Sequence, residues 1–161
     1  MSMNPKIPAN VIASLAKRFK TLTTIFTSET TPTPFPLYVE GVDSATEEDY
    51  QNTNLSLRVD GPTVIEGSSW TTYRVSVQGL VTAVGDRTAY DLHNYAGRVA
   101  EVLRGVIPVY DIPDNPLVQV GCLDIDPRSV ESVRLVNLGR VSQSSNVRQI
   151  SVIADLILDI S

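Results

Sequence analysis

The sequence predicts an α+β fold, a mainly antiparallel β-sheet with two amphipathic helices packed on it, in the order α-β-β-α-β-β-β. Two segments repeat apolar residues at spacings of three and four, which is typical of helices with one buried face. Several other segments alternate apolar and polar residues, which is typical of half-buried strands. Short turns join consecutive strands, and such connections favour antiparallel pairing.

Length and composition predict a single domain that spans residues 1–161, since domains commonly hold roughly 100–200 residues. Hydrophobic residues make up 42% of the chain, which excludes a disordered protein. No apolar run approaches the roughly 20 residues that a membrane-spanning helix needs, and no apolar leader opens the sequence. We therefore expect neither an export signal nor a membrane partner. Cys122 is the one cysteine, so an intrachain disulfide is excluded.

The first helix is predicted over residues 10–26, where Val11, Leu15 and Phe19 begin an apolar stripe. Asn10 is the expected N-cap, because its side chain can accept a hydrogen bond from the first turn. Three basic residues lie largely off the stripe: Lys17, Arg18 and Lys20. They indicate either a solvated helix face or a contact with an acidic partner or a nucleic acid.

A long Pro-rich and acidic excursion is predicted over residues 28–54. Its first part, residues 30–36, favours an extended, polyproline-like path, and a short strand fits Leu37–Val39. Phe35 and Tyr38 belong to an apolar patch that either docks on a neighbouring molecule or folds back on its own domain. The second part is acidic and contains Glu47, Glu48 and Asp49.

The sheet and the second helix follow this excursion. Residues 55–60 and 70–84 alternate apolar and polar side chains and are expected to pair as antiparallel strands, with Gly61-Pro62 breaking the first run. The second helix is predicted over residues 89–103, with Asp86 as its cap and Gly105 just past its end. The prolines that follow exclude helix from the next connection.

Three further strands complete the predicted order: residues 117–124, 133–141 and 147–160. The last is the strongest strand in the sequence, because its apolar residues keep a strict period of two: Ile150, Val152, Ala154, Leu156, Leu158 and Ile160. Residues 142–146 are polar and are expected to form the hairpin loop that precedes it.

Side chains for catalysis or metal binding are scarce. His93 is the one imidazole and is expected on the exposed flank of the second helix, without the partners of a catalytic triad. One Cys and one His cannot form a zinc site, and the scattered glycines match no phosphate-binding loop. Asp124 and Asp126 are expected in capping and turn roles. The sequence therefore predicts a protein that is no enzyme and holds no metal or cofactor, with a carboxylate enzyme as an alternative.

Charge is unevenly distributed along the chain, whose net charge is −5. Residues 1–26 contain four basic residues and no acid, whereas residues 27–57 contain six acids and no base. Rings form from heterologous interfaces, in which one surface meets a different surface of the next copy. The basic helix and the acidic excursion are a candidate complementary pair. The candidate inter-subunit contacts are Lys17, Arg18, Lys20, Phe35, Tyr38, Glu47, Glu48 and Asp49.

Three segments together resemble the small neck proteins of tailed bacteriophages, and tail terminator proteins most closely: Trp70 to Leu80, the helix Ala89 to Leu103, and the strand Val147 to Ile160. The resemblance lies in the element order, which is an N-terminal helix, a β-hairpin, a second helix and returning strands. It covers residues 8–26 and 55–160, whereas residues 28–54 depart from it in length and composition.

The resemblance implies a ring, typically hexameric, that caps the tail tube and docks it to the head-side connector or stopper proteins, while DNA passes through its channel. An acidic lumen would avoid trapping DNA phosphates. The resemblance also implies a virion protein that is assembled in the host bacterial cytoplasm. Other readings are a head-completion adaptor, a stopper or a tail tube protein, and a monomeric binding module that docks through residues 35–39.

Overall fold

The computed structural model describes residues 5–21, 37–40, 53–66, 71–84, 90–112, 114–128, 131–141 and 147–160. Two helices, α1 (Ile7–Thr21) and α2 (Tyr90–Arg104), lie within these ranges. The strands within them are β1 (Leu37–Val39), β2 (Asn54–Glu66), β3 (Thr71–Val84), β4 (Ile107–Asp111), β5 (Asn115–Ile125), β6 (Val133–Arg140) and β7 (Val147–Ile160). The structure thus confirms an α+β fold.

The described strands form one mixed sheet in the order β1-β2-β3-β7-β5-β4, with β6 beside β7. The pairs β2–β3, β3–β7, β4–β5, β5–β7 and β6–β7 are antiparallel. β1 runs parallel to β2 at one edge. The predicted order and the antiparallel character are therefore confirmed only in part, because the sheet is mixed and β4 was not predicted. The short strand expected at Leu37–Val39 is present as β1, although the predicted order did not count it.

β7 is the strand on which the sheet is organised. One of its sides pairs with β3 from Val147 to Leu158. Its other side pairs with β6 as far as Ala154 and with β5 from Leu156 onward. β5 and β6 thus lie end to end along the same side of β7. The predicted alternation is confirmed from Ile150 to Leu158, whose apolar side chains are buried, while Ile160 is exposed at the strand end.

Both helices contribute buried side chains to one hydrophobic core. α2 packs on β3 and β7, and it approaches closely at Gly79, where an added Cβ would lie 3.1 Å from Val99 Cγ1. α1 contacts β4 at one end of the strand order and β1 and β2 at the other. The sheet therefore curls around α1, whose predicted stripe of Val11, Leu15 and Phe19 is fully buried.

The start of α1 differs from the prediction. The helix begins at Ile7, and Pro8 lies in its first turn, where a missing N–H breaks no intrahelical bond. Asn10 is no N-cap, because its own N–H donates to Lys6 O at 3.0 Å, inside the helix. Residues 22–26 of the predicted helix lie outside the described residues. α2 ends one residue later than predicted, and Gly105 follows it directly.

Prolines account for two differences in the strands. β2 continues through Gly61-Pro62 instead of breaking, because a bulge between Asp60 and Thr63 absorbs the irregularity. Gly61 has a φ of 109°, and a Cβ there would lie 2.7 Å from Arg74 O, so glycine suits this position. β4 forms despite Pro108, because β4 lies at an edge of the sheet. Proline lacks a backbone N–H, and an edge strand tolerates this because one of its sides makes no hydrogen bonds to a neighbouring strand.

Candidate assembly interface

α1 and the β4–β5 hairpin enclose a groove of about 370 Å³. α1 contributes Ser14, Lys17 and Arg18, which share one helix face because they are spaced by three and four residues. The hairpin contributes Pro108, Tyr110, Pro116 and Leu117. The groove therefore has a cationic wall on the helix and an apolar wall on the hairpin.

Contacts between the two walls fix this geometry. The Tyr110 N–H donates to Ser14 Oγ at 2.9 Å, which attaches the edge of β4 to α1. The Lys17 ammonium lies 5.4 Å from the centroid of the Tyr110 ring, within the range of a cation–π interaction. Lys6 pairs with Asp114 near the hairpin turn. On the apolar wall, Leu117 is 94% exposed. Cations beside an exposed leucine suit a partner with both acidic and apolar side chains.

The structure separates the candidate contact residues. Lys17 and Arg18 line the groove, whereas Lys20 is exposed but contributes nothing to its lining. Tyr38 is half-buried in β1, which pairs with the chain's own sheet, so this part of the apolar patch folds back on its own domain. The remaining candidates lie outside the described residues: Phe35, Glu47, Glu48 and Asp49.

β6 presents a second candidate surface. Among the described strands it pairs only with β7, so its other edge has no strand partner there. The strand and the residue after it expose several large apolar side chains: Leu135, Val136, Leu138 and Val141. Leu135 and Val136 point to opposite faces, because neighbouring residues alternate in a strand. In the sequence, the adjacent apolar residues Leu135 and Val136 indicate this surface, because a half-buried strand would alternate apolar and polar residues. The sequence-based prediction did not include it.

The other described edges carry the usual protection against unwanted pairing. β1 has only three residues, and β2 beyond it is interrupted by the bulge at Gly61-Pro62. β4 contains Pro108, and α1 accepts a hydrogen bond from Tyr110 N–H on the same strand. β6 has eight residues and no proline, with arginines at positions 134 and 140 on either side of its apolar centre, and its pairing with β7 is also irregular between Asn137 and Gly139. What marks this edge is its group of exposed apolar side chains at Leu135, Val136 and Leu138.

A buried carboxylate fixes the chain between β5 and β6. The Asp126 side chain is fully buried, and its Oδ2 accepts from Arg74 Nη2 at 2.9 Å. Its Oδ1 accepts from the backbone N–H of Arg128 at 2.9 Å and from Arg128 Nε at 3.1 Å. Burial raises the pKa of the Asp126 carboxyl, but the hydrogen bonds from Arg128 and Arg74 together outweigh it and lower the pKa below its ordinary value.

Backbone contacts place this turn on β7. The Asp126 N–H donates to Asp155 O at 3.1 Å, and the Asp155 N–H donates to Ser132 O at 2.8 Å. Ser132 Oγ also donates to Asp126 O at 2.7 Å. Asp155 is the residue at which the partner of β7 changes from β6 to β5. The Asp126 cluster, which we define as Asp126, Arg74, Arg128 and Ser132, therefore positions the start of β6.

Other chemistry-bearing side chains are dispersed. His93 is exposed on α2, as predicted, and Cys122 is half-buried in β5. Across the described ranges, no group of three or more His, Cys, Asp or Glu side chains could hold a metal ion. Neither α1 nor α2 is long and apolar enough to cross a membrane.

Comparison with known proteins gives a likeness in fold. No family model matches the chain, and no curated protein matches it. A solved structure superposes on the chain with a TM-score of 0.60, covers 99% of both chains and is 9% identical in sequence. At this identity the likeness shows that the fold occurs in another protein, and it shows nothing of the activity.

Proposed function

We propose that the chain is a structural virion protein that forms a ring at the head–tail junction of a tailed bacteriophage, and the resemblance implies six copies in the ring. As a tail terminator it caps the tail tube and docks it to head-side connector or stopper proteins. DNA passes through its channel without being recognised by sequence. The protein is assembled in the bacterial cytoplasm, and its role requires no catalysis, cofactor or membrane.

The exposed apolar edge of β6 is the observation that carries this proposal. Natural proteins cover or interrupt exposed strand edges, because unpaired N–H and C=O groups pair readily with another chain. β6 is also irregular at Leu138, but its outer edge has no partner among the described strands, and it exposes Leu135, Val136 and Leu138. An edge of this kind suits burial against another subunit. The element order, with a helix, a hairpin, a second helix and returning strands, adds support through the resemblance to tail terminators.

Replacing Leu138 by lysine tests the role of the β6 edge. Leu138 is 51% exposed, so we expect the monomer to fold with little change in stability, while a charged edge prevents pairing with another subunit. Native mass spectrometry is expected to give a ring for the wild type and mostly monomer for Leu138→Lys. Val106→Lys is the matched control, because Val106 is 56% exposed and lies outside the strands. Equal ring formation in both variants would contradict the proposed edge.

The position of the ring in the particle is tested by removing the protein during assembly. Loss of a tail terminator is expected to give overlong tails, because nothing stops growth of the tube. Loss of a head-completion adaptor or stopper instead gives filled heads without tails. Electron microscopy of the particles separates these results. A monomeric wild-type protein that is absent from purified virions would overturn the whole proposal.

A further inference from the structure

The first part of β5 extends past the end of its pairing with β7. Residues 115–120, the projecting segment, pair only with β4 among the described strands, because the pairing of β5 with β7 begins at Gly121. We propose that the projecting segment binds the β6 edge of a second copy of the chain. The proposal rests on the proposed ring, because it names the partner of β6 in the neighbouring subunit.

The projecting segment and β6 each expose neighbouring apolar side chains. Leu117 and Val118 are exposed on the projecting segment, as Leu135 and Val136 are on β6. The pairing of the projecting segment with β4 is irregular, and irregularities of this kind redirect side chains away from the neighbouring strand. Each surface therefore offers apolar side chains that the other can cover.

Charge is complementary between the two surfaces. β6 has an arginine near each end, Arg134 and Arg140, and no acidic residue. An exposed carboxylate lies at each end of the projecting segment: Asp114, which pairs with Lys6 but remains half exposed, and Asp159 of β7. Arginine therefore meets carboxylate in either relative direction of the two strands. Pairing of β6 with a second β6 would instead bring arginine to arginine, so the charges favour a contact between two different surfaces.

The two surfaces lie apart within one copy. β6 and β5 are placed end to end on the same side of β7, and residues 121–125 of β5 lie between β6 and the projecting segment. Five strand residues span roughly 17 Å, so the contact forms between copies. It joins two different surfaces, and each added subunit presents a new free surface to the next one. This heterologous arrangement is the one from which rings are built.

The same substitution on each surface tests the contact. Val118→Lys places a charge on the projecting segment and Val136→Lys places one on β6, at side chains that are 51% and 39% exposed. Each variant keeps one of its two surfaces, and native mass spectrometry is expected to show each alone as a monomer. An equimolar mixture is expected to give a one-to-one heterodimer and nothing larger, because only one contact then has both surfaces intact.

Val64→Lys is the matched control. Val64 is 47% exposed and lies in β2, which belongs to neither surface, so we expect this variant to form the ring of the wild type. Val118 does not line the groove beside α1, so its substitution leaves the groove lining unchanged. Circular dichroism verifies that each variant is folded. Leu117→Lys and Leu138→Lys repeat the test on the same two surfaces if a valine variant fails to fold.

The outcomes distinguish this contact from the proposed ring. A wild-type protein that forms no ring overturns the proposed function and the contact with it. A ring that survives Val118→Lys overturns the contact alone, and so does a homodimer of Val118→Lys, which would show β6 pairing with β6. A mixture that stays monomeric at concentrations at which the wild type is assembled also overturns the contact. The one-to-one heterodimer supports it.

Discussion

Replacing Asp126 by alanine is expected to lower the free energy of unfolding by about 3 kcal/mol. The carboxylate is fully buried and accepts hydrogen bonds from Arg74 and from the backbone and side chain of Arg128. Its removal leaves two guanidinium groups without their shared acceptor and releases the turn that positions β6 on β7. Urea unfolding is expected to show a lower midpoint with an unchanged slope.

Asp124→Ala is the control, because Asp124 is an exposed carboxylate two residues away. We expect it to change the free energy of unfolding by less than about 0.5 kcal/mol.

The stabilisation by Asp126 should also depend on pH. Its pKa is lowered in the folded state, so its stabilisation is complete above the unfolded pKa of about 4 and is lost as the pH falls through the folded pKa. A difference between wild type and Asp126→Asn that stays constant down to strongly acidic pH would contradict this role.

Replacing Gly121 by alanine is expected to cost about 2–3 kcal/mol. Gly121 is buried in β5 and pairs with Ile160 of β7, and an added Cβ would overlap the backbone carbonyl of Asp159. Backbone atoms cannot rotate away as the end of a long side chain can, so β5 must separate from β7 to make room. Thermal unfolding followed by circular dichroism measures the loss.

Gly97→Ala is the matched control for this substitution. Gly97 lies within α2, and no heavy atom is within 4 Å of the position that a Cβ would take. Alanine is expected to stabilise the protein there by about 0.5–1 kcal/mol, because glycine is a poor helix former. Opposite signs at the two glycines are the expected result, and destabilisation of equal size at both would contradict it.

Periodicity alone predicted the elements whose environment is uniform along their length. β7 pairs with strands on both sides and packs one face on the core, so its apolar residues are buried at every second position from Ile150 to Leu158. α2 has one buried face and a glycine at its end, which gave its bounds to within one residue. The edge elements were harder to predict, because Pro108 in β4 and the bulge at Gly61 in β2 are sequence signals that normally end a strand. Their positions in these strands are explained only by the pairing of the folded sheet.

The candidate interface was predicted in its charge but not in its geometry. The sequence grouped Lys17, Arg18 and Lys20 as one basic face, because a helix pattern alone cannot show where another element will pack. Only the β4–β5 hairpin, which lies more than 80 residues later, separates the groove-lining pair from Lys20. Asp126 was expected in a turn and is in one, but its partner Arg74 is 52 residues away in sequence, so its burial could not be predicted.

The end-to-end placement of β5 and β6 makes the sheet fork at β7. One branch continues through β5 to β4 and is closed by α1, while the other branch is β6 alone. Deleting β6 from the strand order would leave the path from β1 to β4 intact. Substitutions at the exposed positions of β6 are therefore expected to leave the strands that carry the core in place. Relatives of this fold can be expected to diverge fastest on this branch and to keep the volume of their β7 side chains.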